Sequence, residues 1–404
     1  MNQYNKILFL ATLGLIIRLL LSFLPGFKID MGDWFAWSIR LSNFNFSQFY
    51  SKDVFTDYTP GYLYILSILG FLKNHLQIPD NQFYLLLKLP AIIAELILGL
   101  LIYKEARKFV SEKLAFLAFC LVLFQPALIF NSSIWGQVDS VLTLFMLIAV
   151  IALIRNNLIL SSISFGISLL VKPQAIALIP LFAIFLVNHF KLSNLIKLLL
   201  PALSAIFILT FPFFSDQTLI NLSKHILNTA NEYSYTSINA YNLWGTVGFW
   251  IPDVTVWNSI SYQNWGYILL TSYWIVITYL YFRKRLSIYA VAALATLGFF
   301  FLPTRVHERY LYPALVFLVL LTATYRSKLL LALTGLLSIL HFLNLYYVYV
   351  YYNEFYFQLP KVLYNPIIYN FLEASSKNLS LLSTIIFISI TIGIIKYHAK
   401  PYDN

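Results

Sequence analysis

Cysteine, acidic residues and charge in general are scarce in this chain. The one cysteine, Cys120, sits inside an apolar run, so the chain offers no intrachain disulfide and no thiolate pair for a metal. Charged residues fill 11% of the 404 positions, and only 16 residues are acidic. No Walker-type glycine loop, HExxH, CxxC or Ser-His-Asp signature is present, and there is no internal repeat or low-complexity tract. These absences remove the motif-bearing nucleotide, zinc-hydrolase and redox classes.

What fills the space is hydrophobic: 60% of the chain, with 18% aromatic residues. A soluble domain of this length has too little interior for that much apolar surface, so the bilayer must act as solvent. The sequence reads as one multi-pass membrane domain over residues 1–404, all-α. The net charge of +11 would suggest nucleic acid in a soluble protein. Here many basic residues fall in short inter-helix loops, as the positive-inside bias produces, and no nucleic-acid partner is expected. The run 7–24 lacks a small-residue cleavage motif and is followed by many more apolar runs, so it reads as an anchor.

Apolar runs of spanning type lie at 7–24, 83–103, 114–131, 139–154, 158–171, 174–188, 197–214, 265–282, 287–302, 310–325, 329–350 and 379–396. A shorter run, 60–72, would cover only about 20 Å against a hydrocarbon thickness of about 30 Å. If it does not cross and Lys6 is cytoplasmic, the inner loops hold Lys104, Arg107, Lys108, Lys113, Arg155, Lys191, Lys197, Arg283 to Arg285, Arg326, Lys328, Lys396 and Lys400. If it crosses, all of these face outward, against the bias. The expectation is therefore about 12 crossings with both termini inside. Residues 60–72 become an interfacial or re-entrant helix in a long first outer loop, 25–82. A second long outer loop, 215–264, is rich in Asn, Tyr and Trp and suits a cap over a cavity. The aromatic cluster 341–357 reads first as an interfacial belt, with a lipid portal as the alternative.

Four polar clusters fall on the outer side under this scheme, although its charges were counted elsewhere. They are Asp30 and Asp33 with Tyr58-Thr59-Pro60-Gly61; Trp135-Gly136-Gln137-Val138-Asp139; Lys172-Pro173-Gln174; and Thr304-Arg305-Val306-His307-Glu308-Arg309-Tyr310. The stretch 25–64 alone holds Asp30, Asp33, Asp53 and Asp57. Asp30, Asp33, Trp37 and Arg40 recur on one helix face, and Trp34, Trp37, Leu41 and Phe44 form an apolar stripe suited to the membrane surface. A carboxylate at the mouth of an apolar cavity can serve as a general base. The plainer alternative is that acids in a first helical turn favour the dipole, and the same alternative applies to Asp139. Arg305, His307 and Arg309 make a cationic knot beside a span, suited to a lipid-linked phosphate through the guanidinium fork. Lys172 either joins it or snorkels. Glu95 and Arg18 lie within apolar runs, where an ionisable residue faces inward and finds a partner. No local run supplies enough oxygen ligands to require a metal, and no cofactor is expected.

These motifs resemble the GT-C superfamily of membrane glycosyltransferases, over residues 7–190 and 300–315. Two branches are similar: bacterial and archaeal mannosyltransferases related to the GPI-anchor second mannosyltransferase, and the dolichyl-phosphate-glucose-dependent glucosyltransferases. Asp30 followed by Trp37 resembles the family's catalytic first-loop Asp and its Trp. Tyr58-Thr59-Pro60 resembles Tyr-Pro-Pro, departing at the middle position. Glu95, the segment Asn131–Ser140, Lys172 with Gln174, and Val306-His307-Glu308-Arg309 follow in the family's order.

The resemblance implies an inverting enzyme that moves mannose or glucose from a polyprenyl-phosphate donor to a lipid, glycan or protein acceptor. It implies Asp30, with Asp33, as the catalytic carboxylates. Tyr58, Gln137, Asp139, Lys172, Gln174, Arg305, His307, Glu308 and Arg309 would then bind substrate. The implied location is the plasma membrane, among its lipids, with the site on the extracytoplasmic face. A transporter or flippase for a lipid-linked or anionic solute is the competing reading, although the pseudo-symmetric halves it calls for are not visible.

Overall fold

A computed structural model describes residues 3–51 and 54–398. Asp53 and Lys400 lie outside the described residues. Long apolar runs become helices because a helix satisfies its backbone hydrogen bonds within itself, which lipid cannot do for it.

The chain opens with α1 (Gln3–Ser22), α2 (Lys28–Asn43), α3 (Pro60–His75) and α4 (Asp80–Ala106). Next come α5 (Glu112–Leu123), the single turn α6 (Pro126–Ile129) and a π-helical segment, Phe130–Trp135. The middle of the chain forms α7 (Asp139–Ile154), α8 (Leu158–Val171), a 3-10 segment Pro173–Leu178, α9 (Ile179–Asn188) and α10 (Leu192–Thr210). Loop 215–264 carries α11 (Thr218–Glu232), β1 (Ser237–Ile238), α12 (Leu243–Val247), β2 (Val256–Trp257) and β3 (Ile260–Ser261). Then follow α13 (Tyr262–Phe282), α14 (Ile288–Phe301), β4 (Val306–His307), the 3-10 turn Glu308–Leu311, α15 (Tyr312–Tyr325), α16 (Lys328–Tyr349), a second π segment Val350–Tyr356 and α17 (Pro366–His398).

Among the described residues, seven helices are long and apolar enough to cross a membrane: Gln3–Ser22, Asp80–Ala106, Glu112–Trp135, Leu192–Thr210, Tyr262–Phe282, Lys328–Tyr356 and Pro366–Tyr397. Four shorter apolar helices accompany them, at Asp139–Ile154, Leu158–Val171, Pro173–Asn188 and Ile288–Phe301. A count of 12 needs these four and α15 to cross as well. Burial sorts them by position. Nearly every residue of α14 and α15 is buried, which places both at the centre of the bundle, whereas α1, α10 and α13 expose most of their apolar surface.

Three features depart from the sequence expectation. The protein is not strictly all-α: β1 pairs in parallel with β4, joining Ser237 to Val306 and Ile238 to His307, and β2 pairs with β3. The final helix starts at Pro366, well ahead of the apolar run 379–396. Finally, the stripe on α2 does not rest on a membrane surface. Trp34, Trp37 and Leu41 are buried, Phe44 alone stays exposed, and α3 packs against α2. Glycine permits that approach, since a Cβ on Gly70 would sit 2.0 Å from the Ser38 carbonyl oxygen. The far end of α3 is equally close to α8, where a Cβ on Gly61 would fall 2.5 Å from the Leu170 carbonyl and the Thr59 hydroxyl donates to that oxygen at 2.7 Å. Residues 57–60 are thereby fixed beside the C-terminal end of α8.

Candidate active site

The chain entering α2 is clasped by the π segment. Phe27 N–H donates to the Trp135 carbonyl at 2.9 Å, and its ring stacks on the Trp135 indole with centroids 4.1 Å apart. A π-helical stretch inside an α-helix re-aims side chains and is frequent at functional sites. Here it ends at Gly136, whose φ of +91° is a left-handed conformation that glycine adopts without strain. A side chain there would also strike Met31. That turn carries two donors to one acceptor: Trp135 Nε1–H and the Gln137 side-chain amide N–H both reach Asp30 Oδ2, each at 2.6 Å.

Gln137 extends the network. Its Oε1 accepts from Lys172 Nζ at 2.9 Å and from the Tyr58 hydroxyl at 3.2 Å. The amide orientation follows, because only NH2 toward the carboxylate and oxygen toward the ammonium satisfies both neighbours. Lys172 Nζ also donates to Asp139 Oδ1 at 2.6 Å, and lies over the rings of Tyr58 and Tyr310 at 5.6 and 5.9 Å. Asp139, fully buried, takes further hydrogen bonds from Asn131 at 3.0 Å and Gln174 at 3.4 Å. Asp139 opens α7 and Lys172 closes α8, so this ion pair locks the ends of two neighbouring helices. Burial lowers the Lys172 pKa, and the Asp139 charge opposes that.

Asp33 lies one turn beyond Asp30. Burial, then the charges of Asp30 and Asp57, raise its pKa to about 7. Asp57, which sequence reasoning did not select although it directly precedes Tyr58, is raised to about 6 by burial and by Asp30. Asp33 and Asp57 therefore share one region with Asp30, whose charge raises both.

The segment 305–309 does not form a uniform cationic knot. Arg305, at a φ of +65°, turns away: its Nε donates to Asp253 Oδ2 at 2.7 Å and its Nη1 to the Ala230 carbonyl at 2.8 Å. It pins loop 215–264 onto the bundle, and Asp253 is the partner that sequence reasoning could not single out within that loop. His307 packs against Tyr233 and Tyr310. Burial, then Arg309 and Lys172, hold its pKa well below the ordinary value, so the ring is neutral. The remaining cation is Arg309. Its Nη1 donates to Glu308 Oε1 at 3.0 Å, while its buried Nε has no protein partner among the described residues. Burial opposes the Arg309 charge, but Asp30 and Glu308 outweigh it and keep the guanidinium protonated.

Asp30, Asp33, Tyr58, Gln137, Asp139, Lys172, Gln174, His307, Glu308 and Arg309 thus gather in one region, with Arg305 committed to Asp253. Glu95 and Arg18 lie apart as an ion pair of 2.8 Å with both side chains fully buried, and Tyr312 donates to Glu95 at 3.0 Å. That pair braces α1, α4 and α15. Chemically, the region sets an oriented carboxylate within electrostatic reach of a guanidinium with a spare donor. Such an arrangement can take a proton at one point and stabilise a developing anion at another.

Residues 76–215 match the family model described as dolichyl-phosphate-mannose-protein mannosyltransferase. No curated protein matches. The matched stretch holds Gln137, Asp139, Lys172 and Gln174 but stops short of Asp30 on one side and His307 on the other. The match covers about a third of the chain and, with the apolar helices, supports a multi-pass membrane protein that is similar over that stretch to mannosyltransferases.

Proposed function

We propose that the protein is an inverting glycosyltransferase that moves a hexose, mannose or glucose, from a polyprenyl-phosphate donor to an acceptor hydroxyl. The observation that carries this reading is the Asp30 carboxylate, gripped through one oxygen by Trp135 and Gln137 and facing the charge of Arg309. The acceptor oxygen attacks the anomeric carbon as the bond from that carbon to the phosphate oxygen breaks. The acceptor proton passes to Asp30, and the lipid phosphate leaves with its negative charge toward Arg309. Lys172 acts from behind Gln137, holding the amide that orients the base, and neutral His307 is a hydrogen-bonding neighbour of the phosphate. A phosphate leaving group needs little acid assistance, so a single base suffices. The family description, which names a dolichyl-phosphate-mannose donor, supports a lipid-phosphate sugar and favours mannose.

In this reading the shorter helices cross as well, giving 12 spans in the plasma membrane with Asp30 on the extracytoplasmic face. The loop charges support that orientation. Purified protein incubated with radiolabelled polyprenyl-phosphate mannose or glucose should pass label to an acceptor from a membrane extract. Uptake of the labelled lipid into vesicles without transfer would instead mark a transporter or flippase.

A further inference from the structure

A second polar site lies at the opposite end of the bundle. Helix α7 separates Asp139 from Arg155 by about 24 Å at 1.5 Å per residue. There the α7–α8 turn meets the α9–α10 turn around a cavity of about 430 Å³, lined by Asn156, Asn157, Asn188, His189, Lys191 and Lys197 among others. No Asp or Glu occurs between Ser140 and Ser215, so the polar part of the lining is amide, imidazole and cation without a carboxylate. Arg155 is already bound to Glu105 at 2.7 Å, whereas Lys191 and Lys197 make no ion pair among the described residues. Lys191 also stands at the N-cap of α10, where no side chain caps the first N–H groups. Those groups, with two unpaired ammonium groups beside them, suit an anion.

The surroundings say what kind of anion. Phe190 and Ile159 line the cavity and are exposed, the neighbouring Leu192 and Ile196 on α10 are exposed too, and α10 turns most of its apolar surface outward. A pocket for a soluble anion needs no hydrocarbon-facing border; a headgroup pocket does. We propose that this cavity binds the phosphate of an anionic phospholipid from the leaflet opposite the candidate active site, with its acyl chains lying along α10. Basic pockets between membrane helices take such headgroups, and each lysine near the surface strengthens binding about fivefold. The inference does not depend on the transferase reading.

The test compares full-length protein with a K191Q/K197Q variant in neutral detergent. Short-chain phosphatidylglycerol, phosphatidylcholine of the same chain length and inorganic phosphate are added in turn, with bound lipid counted by native mass spectrometry and thermal midpoints recorded. Phosphatidylglycerol should bind wild type more tightly than phosphatidylcholine and raise its midpoint. The variant should lose roughly 25-fold in phosphatidylglycerol affinity while binding phosphatidylcholine unchanged, which shows that it is folded. Equal binding of the two lipids, undiminished phosphatidylglycerol binding by the variant, or protection by inorganic phosphate equal to that by phosphatidylglycerol would each overturn the proposal.

Discussion

Trp135 Nε1 donates to Asp30 Oδ2 at 2.6 Å across more than a hundred residues of sequence, while the rest of the indole stacks on Phe27. One side chain thus fixes both where α2 begins and which way its first carboxylate points. With Gln137 on the same oxygen, Asp30 Oδ1 carries no hydrogen bond among the described residues, and under the proposed mechanism it is the atom that accepts the proton.

Replacing Asp30 by Asn keeps the size of the side chain and removes its basicity. The expected outcome is a fall in transfer of about 100- to 10,000-fold with donor binding retained. Single-turnover rates and donor titrations measure the two separately. Full activity in this variant would remove Asp30 as the base.

Trp135→Phe preserves a ring to stack on Phe27 and deletes one donor to the carboxylate. A hydrogen bond to a charged group is worth about 1.5–3 kcal/mol, so a loss of roughly 10- to 100-fold is expected. It should appear in kcat with KM nearly unchanged. A change confined to KM would mean that Trp135 contacts substrate instead of orienting the base.

Asp33 gives a pH dependence of defined sign. Its carboxyl titrates near 3.8 when unfolded and about 7 in the folded protein. The folded state therefore binds the proton more tightly, and this contribution to stability is complete below about pH 4 and lost as pH rises through 7. Asp57 acts in the same direction up to about 6. The thermal midpoint of the wild type should decline between pH 5 and pH 8, and that of Asp33→Asn should decline less. Parallel profiles would show that Asp33 is not protonated in the folded protein.

Arg305 and Arg309, four residues apart, should fail differently. Arg305→Ala leaves Asp253 buried without its partner, a loss of about 3 kcal/mol or more. It should lower the melting temperature and expose loop 215–264 to protease. Arg309→Ala should weaken donor binding more than acceptor binding in separate titrations. Equal losses for donor and acceptor would count against a phosphate-holding role for Arg309.

Sequence alone located most of the long apolar helices. Asp139–Ile154 and Leu158–Val171 coincide with their apolar runs because hydrophobic period and helix-ending residues are local properties. It also marked which polar clusters to watch, since a carboxylate or guanidinium beside hydrocarbon is costly wherever it stands. Tertiary structure decided how those residues pair. Nothing local says that Arg305 is held by Asp253 and Arg309 is not, that Lys172 answers to Asp139, or that Trp34 and Trp37 turn under α3 and away from lipid. Partner choice among charges depends on the distances and burial that packing creates. Those quantities exist only once α2, the π segment, the end of α8 and the 305–309 turn have been brought together.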